Sequence, residues 1–487
     1  MGTQFRLFDP RSRIWLVIGF ALTLWIATYL GKFLPLFATQ HRLFVSTCAV
    51  VVACLICAWV IFQLTTNRHI QKVMFVLGIS AASVIGLVNG ASAWWAVDTP
   101  LEGPCAGVVT VMQDPEIAGR GVVTVVKMQG IRYRVMAYGM SQRRVLNRLM
   151  GEQMYLEGTC GRIDGRYADW DRQRHILGTI AVDHVSEEFS YGSPLYRSAN
   201  RLRRHIVGNV DQMSPSERAL FAGLVMGDDR EQPRSMVDSF RATGLSHLCA
   251  VSGQNVAYVL AVAGVFLRSR RTAMRLVLTG VVLLWFVVLT RAEPSVVRAA
   301  VMAGIVACAF AWGREANTKE VLGVTAIAML CIDPMMARSV GFMLSTGATA
   351  GLAWLLPVTT RMMGTNAIAK IIAATLAAHL GTALISLSFF GSLPVVALFT
   401  NPIAVPVASF VMLVGLPVSL VSSVLPDVMQ DALTFCLAIP VRLLWRIAIV
   451  GDAMSPRGLA NALCWVAVGW WCVRRFRSAD VQSELLH

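Results

Sequence analysis

Long apolar runs alternate with short polar loops along most of the chain. The first three lie near residues 14–36, 44–62 and 73–97, and about nine more follow between residues 215 and 474. A helix of about 20 apolar residues crosses the hydrocarbon layer of a bilayer. The pattern therefore predicts a mainly α, polytopic helical membrane protein with about 12 spans. Because further apolar runs follow at once, the first run is predicted to be an uncleaved signal anchor.

A stretch of different character separates the third apolar run from the fourth. Residues 106–112, 122–128, 133–138 and 176–182 are short segments rich in Val, Ile and Tyr, with Gly and Asp-Pro between them. Short runs of this kind, bounded by turn residues, are typical of strands. We therefore expect a small β-barrel or sandwich inserted at residues 103–187.

These patterns divide the chain into five parts. The expected parts are three N-terminal transmembrane helices (1–102), a β domain (103–187), an amphipathic surface helix (193–212), a transmembrane domain with re-entrant helices (213–474) and a tail (475–487). The surface helix is predicted because apolar residues recur at helical spacing while arginines occupy its other faces. Those arginines have two candidate partners, anionic lipid and nucleic acid, and lipid is the commoner one.

Composition and charge indicate how the chain is oriented in the membrane more clearly than they indicate what it binds. Hydrophobic residues make up 56% of the chain and charged residues 15%, and the formal net charge is +15. Cytoplasmic loops of membrane proteins are rich in Lys and Arg whatever the protein transports, so the positive charge is weak support for a nucleic-acid ligand. The basic residues concentrate on alternate loops. The same rule predicts that both termini are cytoplasmic and that the β domain is external.

Two of the eleven cysteines, Cys105 and Cys160, lie in the predicted β domain, and the other nine lie in apolar, helical surroundings. An external compartment is oxidising and permits these two to form a disulfide. The sequence does not give the Cα separation that such a bond requires, so the disulfide is a candidate only.

Polar residues interrupt the chain just ahead of one apolar run, at residues 244–255. The candidates in this stretch for lining a polar path through the membrane are His247, Ser252, Gln254 and Asn255. The two predicted helices before it, residues 215–226 and 234–243, are too short to span and stop at glycines. Broken helices at membrane depth are tolerated beside a cavity, which predicts a re-entrant element facing a cavity. The alternative is an interfacial loop whose histidine and asparagine tie helices together.

Further polar side chains recur inside the later apolar runs. On one predicted helix they are spaced by four, three and four residues, which places them on one face. Such a stripe faces protein or water rather than lipid, so it lines a pore or forms hydrogen bonds between helices. An arginine at the end of a span pairs with a carboxylate or binds a passing phosphate. The candidate path residues in these runs are Arg291, Arg298, Ser345, Thr349, Thr375, His379, Thr382, Ser386 and Asn401.

Five motifs in this half resemble, in order, those of the ComEC family of competence proteins. They are Gly244-Leu-Ser-His-Leu with Ala250-Val-Ser-Gly, Pro294-Ser-Val-Val-Arg298, Asp333-Pro334, Gly341-Phe-Met-Leu-Ser345 and Asn401-Pro402. The resemblance implies a channel in the bacterial plasma (inner) membrane that imports single-stranded transforming DNA. The implied partners are single-stranded DNA, membrane lipids, and the DNA receptor, nuclease and cytoplasmic ATPase of a competence machinery.

The N-terminal half resembles the same family, which implies an OB-like fold for the β domain. Barrels of that kind bind single strands through aromatic and basic side chains. The candidate DNA contacts in this domain are Arg132, Tyr133, Arg134, Trp170, Arg172 and Arg174. A solvated β surface accounts for the same residues nearly as well.

Enzymatic chemistry is not expected of this chain. Many family members carry a metallo-β-lactamase-like domain, but the eight histidines here include no His-x-His or His-Glu-x-x-His spacing, and no Gly-x-x-x-x-Gly-Lys-Ser/Thr loop occurs. We therefore expect no cofactor, no metal, and no nuclease or ATPase activity, and a passive polar conduit driven by partner proteins.

Two other classes of function are alternatives. A secondary transporter of a small anionic solute would use similar broken helices, but usually shows two repeated halves. A membrane-embedded enzyme acting on lipids or glycans would use His247 as base and Ser252 as nucleophile.

Overall fold

The computed structural model describes residues 10–33, 68–95, 100–165, 168–210, 212–249, 252–268, 271–364, 366–422 and 425–484. The predicted span at residues 44–62 and two residues of the first motif, 250 and 251, lie outside these ranges. The chain is mostly helical, at 69% helix. It divides into two compact units, one formed by residues 1–190 and 301–342 and the other by residues 191–300 and 343–487. The predicted five-part division stays a prediction.

The elements follow one another along the chain in three groups. The first group is α1 (Pro10–Leu30), α2 (Arg68–Trp94), β1 (Gly103–Val111), β2 (Glu116–Ala118), β3 (Gly121–Met128), β4 (Ile131–Ala137), α3 (Gly139–Leu146), β5 (Gln153–Arg162), α4 (Ala168–Arg172) and β6 (Ile176–Ser190). The second is α5 (Pro194–Gly208), α6 (Pro215–Met226), α7 (Arg234–Ala242), α8 (Ser246–Cys249), α9 (Gly253–Leu267), α10 (Thr272–Leu289) and α11 (Pro294–Ala311). The third is α12 (Thr318–Ile332), α13 (Val340–Met363), α14 (Ala367–Phe390), α15 (Ala397–Val421), α16 (Asp427–Met454) and α17 (Leu459–Glu484).

Eight of the helices in the described residues are long and apolar enough to cross a membrane: α1, α2, α10, α11, α13, α14, α15 and α16. Their outer faces carry large apolar side chains in contact with the surroundings, such as Leu384, which is 82% exposed. A soluble protein rarely exposes so much apolar surface, whereas lipid accepts it. The chain is thus a multi-pass membrane protein. The count of about 12 spans stays a prediction.

The β domain is one six-stranded sheet in the order β1-β5-β6-β4-β3-β2. All neighbouring strands are antiparallel except β4 and β6, which are parallel. β1 also contacts β3 through two residue pairs, Thr110 with Lys127 and Val111 with Val126. The insert is therefore a small sheet with a short contact between β1 and β3, and the predicted OB-like barrel stays a prediction.

Alternation along the strands builds the core of this sheet. In β5 the side chains of Met154, Leu156 and Cys160 are buried, whereas Tyr155 and Glu157 face outward. This period of two places one face of each strand on the core. A disulfide joins Cys160 to Cys105 in the neighbouring strand β1, with Cα atoms 5.8 Å apart. That separation suits a disulfide without backbone movement.

The second unit starts with a helix that packs one of its faces on protein. Helix α5 is capped by Ser193 and buries Ala199, Arg203 and Ile206. Arg203 Nη2 donates to Asp228 Oδ2 at 3.0 Å, and both side chains are at least 90% buried. The expectation that the α5 arginines face lipid or nucleic acid is therefore wrong for Arg203, because a protein carboxylate holds it.

Helix α6 begins where the sequence predicts. Ser214 Oγ accepts from the Glu217 amide at 3.4 Å, and Glu217 Oε2 accepts from the Ser214 amide at 3.2 Å. This reciprocal capping satisfies two amides that a helix start leaves free. Arg442 on α16 donates to the other oxygen of Glu217 at 2.6 Å. The capped helix then packs its apolar residues, including Phe221, into the core formed with α15 and α16.

Candidate functional site

Helix α9 starts anew after α8, with Ser252 in an extended conformation as its N-cap. Helix α8 has only four residues, and α9 starts at Gly253. Ser252 Oγ accepts from the Gln254 amide at 3.3 Å, which caps α9, and donates to Asn255 Oδ1 at 3.4 Å. Asn255 Nδ2 in turn donates to Leu224 O at 3.3 Å. Asn255 therefore ties α9 to α6, which was the alternative role considered for it.

His247 and Gln254 line a cleft beside this break. The cleft is walled by Leu224, His247, Leu248, Ser252, Gln254, Asn255, Tyr258, Ala408, Ser409 and Met412. Gln254 Nε2 donates to Ser409 Oγ at 3.1 Å and also to the Tyr258 hydroxyl. His247 is exposed at this opening, and protein surrounds it on its other sides.

The protonation of His247 follows from its surroundings. Burial lowers the pKa of His247 below its ordinary value, and the hydrogen bond between Nδ1 and Gly244 O, at 3.1 Å, opposes the shift. The imidazole is therefore neutral at neutral pH. Its described hydrogen bond is to Gly244, and those of Ser252 are to Gln254 and Asn255. The described contacts therefore do not join His247 to Ser252 as a base and its nucleophile.

Arg298 lies inside a membrane-spanning helix beside the break. It is 6% exposed, and its Nε donates to Ser345 Oγ at 2.8 Å. A Cβ atom at Gly253 would lie 3.5 Å from Arg298 Nη2 and 3.0 Å from Ala299 Cβ. The first turn of α9 therefore touches α11 at the guanidinium. The structure brings Arg298, Ser345 and the break together, although about 50 residues separate each from the next.

Arg291 belongs to a second charged group. Its Nη2 lies 3.9 Å from Asp229 Oδ1, and its φ of 63° is in the left-handed region. The adjacent Asp228 accepts from Arg230 Nε at 2.8 Å and Nη2 at 2.7 Å, and from Arg203 as described above. Sequence reasoning missed this cluster. The only signal for it was the charged Gly-Asp-Asp-Arg ending of a short apolar helix.

The predicted stripe on α14 is less uniform than its spacing suggests. Thr375 and Thr382 donate to carbonyls of their own helix at 3.0 Å each, and Thr349 on α13 donates to Ser345 O at 2.9 Å. The described bonds of these hydroxyls are therefore local. Ser386 lies on α14, half-buried.

Two of the predicted path residues, one on α14 and one on α15, have buried polar atoms without a described partner. His379 Nε2 and Asn401 Oδ1 are both buried without a hydrogen-bond partner within the part of the chain that is described. His379 lies edge-on to Trp465, with ring centroids 6.3 Å apart. Buried polar atoms in that condition are uncommon in folded proteins.

The basic and aromatic residues of the β domain fall into two groups. Trp170 is 48% exposed, and the guanidinium groups of Arg134 and Arg174 lie 5.5 Å and 4.5 Å from the centre of its ring. Arg134 also pairs with Asp171, Arg132 donates to Arg174 O at 3.2 Å, and Arg172 is half-buried. Tyr133 differs: it is 1% exposed, and its hydroxyl accepts from the Leu101 amide at 2.9 Å. Tyr133 is a core residue whose ring is not available for stacking.

No group of three or more His, Cys, Asp or Glu side chains that could hold a metal ion occurs among the residues with described positions.

Comparison with known proteins identifies the family. The family model described as "Competence protein" matches residues 224–477, just over half of the 487 residues. The chain is also similar to ComE operon protein 3 of Bacillus subtilis (strain 168), with 26% identity over 259 residues, covering 51% of this chain and 32% of that relative. The aligned part therefore spans about a third of the relative's length. No solved structure matches. The chain belongs to the competence protein family, as a ComEC-type member, which confirms the resemblance found in its motifs.

Proposed function

We propose that this protein is an inner-membrane channel through which single-stranded transforming DNA enters the cell during natural competence. Family membership supports a role in DNA uptake. The observation that carries the finer proposal is the position of Arg298: a guanidinium buried in a membrane-spanning helix, against the first turn of α9. Ionisable groups at such depth usually mark a path for ions or polar substrates.

The chemistry of the strand requires such an arrangement. A single strand carries one negative charge per nucleotide, and unpaired charges are very costly in a medium of low dielectric constant. Arginine offers a planar fork of donors that fits a phosphate. In the described state Ser345 accepts from Arg298. A phosphate oxygen is a stronger, charge-assisted acceptor, so a passing strand replaces the serine at this position.

The other regions of the protein have roles before and after the strand passes Arg298. Arg291 and the half-exposed Trp170 cluster meet the strand before it enters, with the β domain outside and both termini in the cytoplasm. The strand order, with parallel β4 and β6 and a contact between β1 and β3, supports an OB-like fold for this domain. The chain is a passive conduit without enzymatic activity of its own. A DNA receptor, a nuclease and a cytoplasmic ATPase supply capture, strand degradation and driving force.

Replacing Arg298 tests this proposal. We expect Arg298→Gln to lower the transformation frequency of a complemented deletion strain by roughly a hundredfold, since a hydrogen bond to a charged group contributes about 1.5–3 kcal/mol. Arg298→Lys keeps the charge but loses the fork, so its loss should be smaller.

The control is Arg241→Gln, at a side chain that is 65% exposed and pairs only loosely with Asp238, at 3.7 Å. This variant should transform normally. All variants are compared at equal amounts in the membrane. Normal transformation by Arg298→Gln at wild-type abundance would rule out Arg298 as a strand contact.

A further inference from the structure

The Asp333-Pro334 motif makes a contact that the sequence does not show. Asp333 follows α12 directly, and its Oδ1 accepts from the Met335 amide at 2.9 Å, which caps the short 3₁₀ turn Pro334–Arg338. The same oxygen accepts from Nε2 of His175 at 3.0 Å. His175 lies between α4 and β6, in the same compact unit as α12. The motif therefore contacts the β domain.

The turn that presents Asp333 is fixed on a membrane-spanning helix of this unit. Arg338, at the end of the turn, donates to Tyr29 O on α1, and its guanidinium lies 4.2 Å from the centre of the Tyr29 ring. Trp25 Nε1, also on α1, donates to Ala337 O at 3.0 Å. Helix α1 thus holds the turn, so the carboxylate of Asp333 faces the β domain from a defined position.

A second ion pair joins the β domain to the end of α1. Lys32, in the turn Gly31–Phe33 after this helix, pairs with Asp169 on α4. Lys32 also lies 4.5 Å from the centre of the Trp94 ring on α2. The segment of the β domain that includes α4 is therefore attached at two points to helices of its own unit.

The two points of attachment lie on either side of the Trp170 cluster, which consists of Trp170, Arg134 and Arg174. Asp169 directly precedes Trp170, and His175 directly follows Arg174. Residues next to each other in the chain cannot move far apart, so the two contacts fix the place of this cluster relative to α1 and α12.

The backbone of His175 supports a role for its side chain. Its φ of 58° lies in the left-handed region, which glycine enters without the steric cost that a side chain brings. Strained backbone of this kind persists where surrounding contacts hold it. A glycine at this position would relieve the strain but would lose the contact with Asp333.

We propose that Asp333 and His175 are positioning residues, which together with Lys32 and Asp169 dock the β domain on the transmembrane helices and hold the Trp170 cluster where a captured strand passes to them. This inference rests on the proposed function. The docking residues act through the place of the cluster and not by touching the strand. Both pairs are partly exposed, so each stabilises the fold only slightly. Loss of docking should therefore impair uptake far more than stability.

The test combines His175→Gly with Asp169→Asn, which removes both contacts from the side of the β domain. In the complemented deletion strain, we expect the maximal rate of uptake of a labelled single strand to fall about tenfold, and each single change to have a smaller effect. The strand concentration at half-maximal uptake should stay within about twofold of the wild-type value, because the Trp170 cluster itself is unchanged.

Two measurements on the purified full chain in detergent separate docking from folding. The melting temperature of the double variant should differ from that of the wild type by no more than about 2 °C. Hydrogen exchange of residues 333–338 should become faster, whereas exchange of β5 should stay unchanged, because the sheet remains folded.

The chain offers a matched control for each change. Gln129→Gly controls for His175→Gly, because Gln129 is exposed in the turn between β3 and β4 and also has a positive φ, of 48°. Asp183→Asn, at an exposed residue of β6, controls for Asp169→Asn. The combined control variant should take up DNA at the wild-type rate.

A normal maximal rate of uptake in the double variant would overturn the inference. A slower rate accompanied by a lower melting temperature would assign the residues to folding, and one accompanied by a higher half-maximal strand concentration would assign them to strand binding. Either result would also overturn it. If the deletion strain itself takes up DNA normally, the proposed function fails, and this result is separate from a failure of the double variant alone.

Discussion

Three arginines surround the carboxylate of Asp228. Burial raises the pKa of this carboxyl, but the hydrogen bonds and charge of Arg230, with the charges of Arg203 and Arg291, outweigh burial and hold the pKa well below its ordinary value. The direction of this pKa shift sets how the stability of the fold depends on pH. A carboxyl with a lowered pKa stabilises the fold above its unfolded pKa, and this contribution is lost as the pH falls toward the folded value.

Asp228→Asn should therefore be strongly destabilising. It leaves the buried Arg203 without its anion, which costs about 3 kcal/mol for a broken buried pair. The free energy of unfolding in detergent should fall by that amount at pH 7, and its decline below about pH 4 should become shallower than in the wild type. Asp238→Asn, at a side chain that is 70% exposed, is the control and should change neither quantity. Equal acid sensitivity of wild type and Asp228→Asn would contradict this role.

Helices α13 and α14 are in direct backbone contact through glycines. A Cβ atom at Gly351 would lie 2.2 Å from Ala377 O, and one at Gly381 would lie 2.3 Å from Gly347 O. Small residues permit such close approach between membrane helices. This contact leaves no space for a strand between the two helices. The polar stripe of α14 lies on a different face from the one that packs on α13.

Gly351→Ala tests that packing. Even one methyl group forces the two backbones apart, and overpacking costs about 1–3 kcal/mol. We expect a lower melting temperature in detergent and less folded protein on size-exclusion chromatography. Gly280→Ala on the spanning helix α10 is the matched control, since nothing lies within 4 Å of a Cβ atom there. An unchanged melting temperature for Gly351→Ala would show that the two helices separate easily.

The sequence predicted elements better than contacts. The start of α6 was readable because Ser214, Pro215 and Glu217 act within one turn. Strand β5 was missed because it contains one β-branched residue, Thr159, and two glycines, although its buried and exposed residues alternate. The hydrogen-bond partners of Arg203 and Arg298 lie 25 and 47 positions away in the sequence. Local patterns carry no information on such pairs, so the polar junction emerged only from the fold.

The whole molecule combines lipid-compatible outer surfaces with a concentrated polar interior. Residues of the second unit that are distant in sequence, from α6, α9, α11 and α13, meet near the interrupted segment. Elsewhere the spanning helices present apolar side chains outward. Buried arginine and asparagine at one place are uncommon in an apolar membrane core, because each needs polar partners there. The distribution favours a protein that admits a polar ligand there.

The most direct test asks whether a strand in transit touches this place. A photo-crosslinking residue, p-benzoylphenylalanine, is placed either at Gln254, which lines the cleft, or at Leu384, which is 82% exposed on an apolar helix. During uptake of a labelled single strand, illumination should produce a protein–DNA crosslink at position 254 and none at position 384. Strand uptake with no crosslink at position 254, or with equal crosslinking at both, would contradict the channel.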